Sequence, residues 1–293
     1  MKDVCFFLYD NELRFLYNDA TNLYFFLCFG ILEVKHLPKV LFFGKGGSGK
    51  STLTSLLAYS FVCRNFRTLV IDSDESNTTL YRMLGLDPPL KTLVDLMGGR
   101  KKVSNFLFRG EGELDWKLLD SFGFNDLPKE CVAWKGNLGL LVIGKVGEYG
   151  SGCACPFNAL AREFLKRLEL NDKEIVLIDT DAGIEHFGRA VEEACDLLIL
   201  TVDPTYESIV LAEKAEKLAH QVNKKLYMIL NKVDEETERI LREKLRGKNV
   251  LGSINYDAEI AKKALIGESM EDIRLDNVEK ITDELIALIN SKG

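Results

Sequence analysis

The run Gly44-Lys45-Gly46-Gly47-Ser48-Gly49-Lys50-Ser51 matches the pattern G-x-x-x-x-G-K-[ST], and phosphate chemistry needs each residue type in it. Gly46, Gly47, Ser48 and Gly49 would form a cradle in which backbone N–H groups close on an anion that larger side chains would keep away. Lys50 brings a charge to the β- and γ-phosphates, and Ser51 offers a hydroxyl to Mg²⁺. Thr52 falls at the start of the next helix, where the dipole favours an anion. The implied ligand is a nucleoside triphosphate with Mg²⁺.

Other residues carry further chemistry. Asp72-Ser73-Asp74 and Asp179 each close a short apolar run. Ile175-Val176-Leu177-Ile178-Asp179 has the form of a Walker B strand, with Asp179 near Mg²⁺ through water. Acids at strand ends also serve as helix caps, and Asp74 ahead of Ser76-Asn77-Thr78 fits that description too. Asn231-Lys232-Val233-Asp234 fits N-K-x-D. An asparagine amide pairs with either purine, while a carboxylate accepts the two donors that only guanine presents, so these residues leave ATP and GTP both open. Cys153-Ala154-Cys155 follows a glycine-rich stretch, Gly144 to Gly152. Two thiolates one residue apart hold half of a tetrahedral soft-metal site, and a twofold dimer would supply the other half. A disulfide between them would be a strained ring.

Such residues need a scaffold that brings strand ends together. From Lys39 onward short apolar runs alternate with helical patterns, which predicts an α/β fold: a mostly parallel central sheet of about seven strands with helices on both faces. The strands fall at Val40–Phe43, Thr68–Asp72, Leu138–Ile143, Ile175–Asp179, Leu197–Val202, Leu226–Leu230 and Val250–Ile254. Helices are expected at Lys50–Arg64, Pro156–Leu168, Tyr206–Val222 and Asn277–Asn290. Residues Asp87 to Lys135 read as short helices and loops over one edge. Residues 34–293 count as a single domain. The aromatic-rich residues 1–33 show no period, and Val34 would make an ordinary start if encoded by GTG. They are expected to be an upstream extension or, failing that, an added hairpin or helix.

Composition removes several classes. With 293 residues, 46% of them hydrophobic, the chain can bury a sizeable core. A net charge of -7 argues against nucleic acid as the main partner. The most apolar run, Leu23 to Leu32, is far short of the ~20 residues that span a bilayer. Seven cysteines, an odd number, do not form a secreted disulfide framework and suit a reducing cytosol. Cys5, Cys28, Cys63, Cys131 and Cys195 are expected to be buried or half-buried thiols.

Lys45 gives the loop a particular form, which resembles the deviant Walker A sequence, KGGxGK[ST], of the MinD, ArsA and nitrogenase iron-protein class. That resemblance implies a lysine reaching across a dimer to the partner's nucleotide. It implies that Asp74, in a first switch, positions or deprotonates the attacking water. It also implies that Gly183, in a second switch at Asp179-Thr180-Asp181-Ala182-Gly183, senses the γ-phosphate. Asp181 stands where the class often has proline. Asn231 stands where the class meets the base, with Lys232 beside it, and the class favours ATP. The loop, the cysteine pair and Ala182-Gly183-Ile184-Glu185-His186 together resemble the CooC-type nickel-insertion ATPases, from Val34 to the end. Pro204, Ser208 and Ile254-Asn255-Tyr256 match in placement. That family implies an ATP-bound homodimer holding Ni²⁺ or Zn²⁺ between Cys153 and Cys155 of both subunits, with carbon monoxide dehydrogenase as client. His186 fits a switch residue or a structural histidine equally. Two other readings are a MinD/ParA-type positioning ATPase and an iron–sulfur carrier. The first wants a cationic terminal helix, whereas Glu279, Lys280, Asp283 and Glu284 face out here, leaving no membrane partner.

Overall fold

Apolar runs with no polar side to turn to water have to be covered on both faces, and here they form the middle of an eight-stranded sheet. The computed structural model describes residues 7–9, 12–14, 38–74, 79–112, 114, 120–144, 155–184 and 191–290. The chain divides into two units, 1–35 and 36–293. In the first, β1 (Phe7–Tyr9) and β2 (Glu12–Arg14) pair antiparallel, with Phe7 opposite Arg14.

In the second unit β3 (Lys39–Gly44) leads into α1 (Lys50–Cys63) and β4 (Arg67–Asp72). Three helices follow, α2 (Leu80–Met83), α3 (Leu93–Leu96) and α4 (Arg100–Arg109). The hairpin β5 (Val132–Lys135) and β6 (Leu138–Val142) comes next, then α5 (Cys155–Arg167) and β7 (Glu174–Asp179). The chain continues through β8 (Leu197–Val202), α6 (Tyr206–Gln221), β9 (Leu226–Val233) and α7 (Glu235–Lys244). It closes with β10 (Val250–Asn255), α8 (Ala258–Ile266) and α9 (Asp276–Asn290). The strand order is β10-β9-β8-β3-β7-β4-β6-β5, parallel except for the β5–β6 pair.

The strand period of two sorts side chains between two cores. Leu41 and Phe43 of β3 join Phe157, Leu160 and Phe164 of α5 and Ala212, Ala215 and Ala219 of α6. Val40 and Phe42 join Leu53, Leu57 and Phe61 of α1 and Ile281 and Leu285 of α9. The terminal helix is therefore core-packing, with Val278, Ile281, Leu285 and Ile289 buried as its spacing predicts.

All seven predicted strands are present, and the expected helices agree to within a residue at each end; α5 begins one residue early, at Cys155. The eighth strand, β5, lies inside the stretch expected to be loops and short helices. Its signal was there in Lys135-Gly136-Asn137-Leu138, a two-residue hairpin turn with Gly136 at φ 60°. Trp134 of β5 lies across Gly139, where a Cβ would come within 2.6 Å of the indole. The Arg67 guanidinium sits 4.6 Å above the same ring.

Because the sheet is parallel, β3, β4, β6, β7, β8, β9 and β10 all end on one edge, where open α/β sheets bind ligands. The contact of Trp134 with Gly139 gives a test of the other end of the order. Gly139→Ala forces the indole and the stacked Arg67 to move and should cost about 1–3 kcal/mol in urea denaturation. Unchanged stability would mean that β5 is not packed as described.

Candidate functional site

The loop between β3 and α1 is held by its own geometry. Gly44 has φ 153° and a Cβ there would lie 2.6 Å from the Thr201 carbonyl on β8. Gly49 has φ 93°, and a Cβ there would collide with the Asn231 amide. The Ser48 N–H donates to the Lys45 carbonyl at 3.1 Å, and Lys50 Nζ donates to the same carbonyl at 3.3 Å. Gly46 and Gly47 are exposed, and a Cβ at Gly47 would meet nothing within 4 Å, so the mouth of the loop is open. Ser48 is fully buried and its hydroxyl has no hydrogen-bond partner among the described residues. Lys50, Ser51 and Thr52 form the first turn of α1.

Beneath the loop lies Asp179, fully buried at the end of β7. Ser51 Oγ donates to Asp179 Oδ2 at 2.6 Å. Desolvation, opposed by that hydrogen bond and by Lys50 but reinforced by the charges of Asp72 and Asp74, pushes the Asp179 carboxyl up to about 7. Asp74 follows at the end of β4, where its N–H donates to Asp72 Oδ1 at 3.1 Å. Ser51 and Asp179 are hard oxygen donors side by side under an open anion cradle, a set that suits Mg²⁺ with a phosphate chain.

Several expected ligand groups hydrogen-bond within the protein. The Gly183 N–H, expected at the γ-phosphate, donates to the Gly44 carbonyl at 2.9 Å, with Gly183 at φ 99°. Thr180 Oγ1 pins the start of that segment to the Phe42 carbonyl at 2.8 Å. Asn231 Nδ2 donates to the Ser48 carbonyl at 2.8 Å and Lys232 Nζ to the Gly47 carbonyl at 2.8 Å, so both brace the loop through its backbone. The Asp234 carboxylate caps α7, accepting from the Thr237 N–H at 2.8 Å and hydroxyl at 2.7 Å. Those hydrogen bonds hold it below the usual carboxylate range.

Lys45, expected to reach outward, is docked on its own chain. Its Nζ lies 3.1 Å from Asp203 Oδ2, 3.2 Å from Thr205 Oγ1 and 4.0 Å from Glu207 Oε2. Sequence reading missed Asp203 and Thr205. Their only signal was the string Asp203-Pro204-Thr205 at a strand end, which reads as an ordinary helix start, and Thr205 is indeed the cap of α6.

Cys153, Glu185 and His186 lie outside the described residues, as does the Cys155 side chain; the Cys155 backbone opens α5. Among the described residues no group of three or more His, Cys, Asp or Glu is placed to hold a metal. Cys131 and Cys195 are buried as expected, and burial pushes the Cys131 thiol up to about 12 and Cys195 higher still. Cys63 departs from expectation: it is exposed on the last turn of α1, with Arg274 Nη2 3.4 Å from its sulfur. Among the described residues no helix is long and apolar enough to cross a membrane.

A phosphate-type loop on a parallel sheet with acids at neighbouring strand ends defines a P-loop ATPase. The chain belongs to the CobQ/CobB/MinD/ParA nucleotide binding domain family, whose model matches residues 40–270. It is 44% identical over 251 residues to an uncharacterized ATP-binding protein of Methanocaldococcus jannaschii, covering 84% of this chain and 99% of that one. It is 32% identical over 261 residues to the carbon monoxide dehydrogenase accessory protein CooC of Rhodospirillum rubrum, covering 87% and 97%. The fold is similar to that of the septum site-determining protein MinD of Pyrococcus horikoshii, complexed with Mg-ADP. The TM-score is 0.64 at 19% identity, over 88% of this chain and 99% of that one.

The buried acid makes a prediction. Folded Asp179 keeps its proton to about pH 7, while an unfolded aspartate loses it near 3.8. Between those values rising pH ionises the unfolded chain first and removes stability; below both and above both there is no further change. Asp179→Asn, which cannot ionise, should therefore melt above the wild type at pH 8 without Mg²⁺ or nucleotide. The gap should close towards pH 4, as calorimetry across pH would show. A gap of constant size would mean that charge is not its cause.

Proposed function

We propose that this chain is an ATP-hydrolysing metallochaperone of a reducing cytosol, working as a homodimer that carries Ni²⁺, or Zn²⁺, between Cys153 and Cys155 of its two subunits. The carrying observation is the place, relative to the acids, of the elements that flank the cysteine segment. Strand β6, which leads into it, lies beside β4, and the Ile143 N–H donates to the Asp72 carbonyl at 3.0 Å. The Cys155 backbone re-enters the described structure at the head of α5. The metal-carrying segment and the acids at the end of β4 thus leave adjacent strands.

In this reading Gly46 to Gly49 and Lys50 receive the triphosphate, with Thr52 at the helix start. Ser51, and Asp179 through water, hold Mg²⁺, which when bound screens the phosphate charge. Asp74 orients or deprotonates the attacking water. Lys45 leaves Asp203 to reach the partner's nucleotide, and Gly183 releases Gly44 to meet the γ-phosphate. Asn231 and Lys232 keep the loop in shape while this happens. The base is adenine, because the Asp234 carboxylate that would read guanine is taken up by the α7 cap. The likeness to the accessory protein of carbon monoxide dehydrogenase supports that enzyme, or another nickel enzyme, as client. The acidic balance supports a protein client over nucleic acid.

Two measurements test this. Anaerobic titration of the ATP-loaded protein should show one Ni²⁺ per two subunits. Binding should be lost in the Cys153→Ala, Cys155→Ala variant; unchanged affinity defeats the reading, and a brown, sulfide-containing product would point instead to an iron–sulfur carrier. Separately, steady-state kinetics should favour ATP over GTP, and Asp234→Ala should leave that preference unchanged while lowering the melting temperature slightly through its lost cap. A shift of preference towards ATP in the variant would mean that the carboxylate does read the base.

A further inference from the structure

We propose that Asp203 is the positioning residue of Lys45: it docks the lysine in cis and sets how readily the chain gives it up to a partner. This rests on the reading that Lys45 acts across a dimer.

The dock is built on the β8–α6 junction, beside the loop. The register of β3 and β8 places Gly44 against Thr201, so the next residue on β3's path, Lys45, meets the chain just past β8. Asp203 is 8% exposed, and its two oxygens are used differently. Oδ1 accepts from Thr205 Oγ1 at 2.7 Å and from Ser208 Oγ. Oδ2 takes Lys45 at 3.1 Å. Thr205 also ties the cluster to the start of α6, its Oγ1 accepting from the Ser208 N–H at 3.4 Å. Burial pushes the Asp203 carboxyl up, but Ser208, Thr205 and Lys45 together outweigh it and hold the group below its ordinary range.

The two hydroxyls, more than the ion pair, make the lysine exchangeable. A buried carboxylate stripped of its only partner would be costly. Here the anion keeps two hydroxyl donors and the amino-terminal end of a sixteen-residue helix when the lysine leaves. Lys45 can therefore depart without collapse of the site. A partner's triphosphate, carrying several negative charges, outcompetes one carboxylate, whereas a partner without nucleotide does not. Asp203 thus raises the threshold for closing on anything but a loaded subunit.

ATPase activity as a function of protein concentration reads this directly. With Asp203→Asn, which keeps the shape and removes the charge, half-maximal activity should come at roughly 10-fold lower protein concentration, with little change in kcat. Asp203→Glu should restore much of the wild-type dependence. Ser208→Ala, which removes a competing donor and leaves the charge to Lys45, should shift the midpoint the other way, a pattern that general structural damage would not give. In a Lys45→Ala background, dimerisation with a non-hydrolysable ATP analogue, followed by sedimentation, should be the same with Asp203 or Asn at that position. Loss of kcat at every concentration with an unmoved midpoint, or an Asp203→Asn effect that persists without Lys45, overturns the proposal while leaving the dimer reading intact. Wild-type activity per subunit that is independent of protein concentration and of Lys45 overturns both.

Discussion

A carboxyl group with no exposure to water sits at the end of the central strand β7, joined to Ser51 by a 2.6 Å hydrogen bond, and the site is arranged around it. An ionised carboxylate in that position would be expensive without a strong counter-charge, so the protein leaves it protonated to about pH 7. The placement follows from strand order. β3 and β4 both pair with β7, in register at Phe42 and Asp72 with Asp179, so the acid lies between the strand that feeds the loop and the strand that ends in Asp72. Moving the acid outward by one residue, to the place of Thr180, would not relieve its burial, because that position is buried as well.

The loop above it is stiff for a related reason. Its carbonyls at Gly44, Lys45, Gly47 and Ser48 accept from Gly183, Lys50, Lys232 and Asn231, groups that come from strand ends and from α1. A carbonyl oxygen turned towards such a donor turns the N–H of the same planar peptide the other way, where an anion can gather it. Asn231 and Lys232 therefore serve the loop's backbone, through Nδ2 of the one and Nζ of the other.

Much of this was legible in the residues, and the rest was hidden for definite reasons. Ile175 to Ile178 and Leu197 to Leu200 announce buried strands because burial on both faces leaves no room for polar side chains. Gly44 to Ser51 announces its turn because only glycine tolerates φ 93° at Gly49 beside the Asn231 amide. Contacts across the sheet left no such trace. Lys45 and Asp203 are far apart in the chain, and nothing local to either specifies the other; only the pairing of β3 with β8 brings them together. Asp234 was ambiguous for the opposite reason, since N-K-x-D and a capping aspartate with Thr237 at the third helical position are written in the same residues. Strand β5 was missed because four residues carry too little pattern to outweigh their irregular surroundings.

Three of the polar groups in the site have one property in common: under the proposed reading a magnesium nucleotide would also satisfy them. Lys45 rests on a carboxylate, Gly183 on a carbonyl, and the proton on Asp179 stands where a metal's charge would act. Replacing like with like changes the net free energy little, so under this reading binding need not be tight to be effective in moving the chain. What it must change is position, because a lysine cannot sit on Asp203 and on a neighbouring subunit's phosphate together. Asp72, Ile143 and Asp179 are tied by backbone hydrogen bonds from Ser73 to Asp179 at 2.9 Å and from Ile143 to Asp72 at 3.0 Å. Under the same reading, these hydrogen bonds are the path by which a displacement at the end of β7 would reach the end of β6, from which the cysteine segment departs.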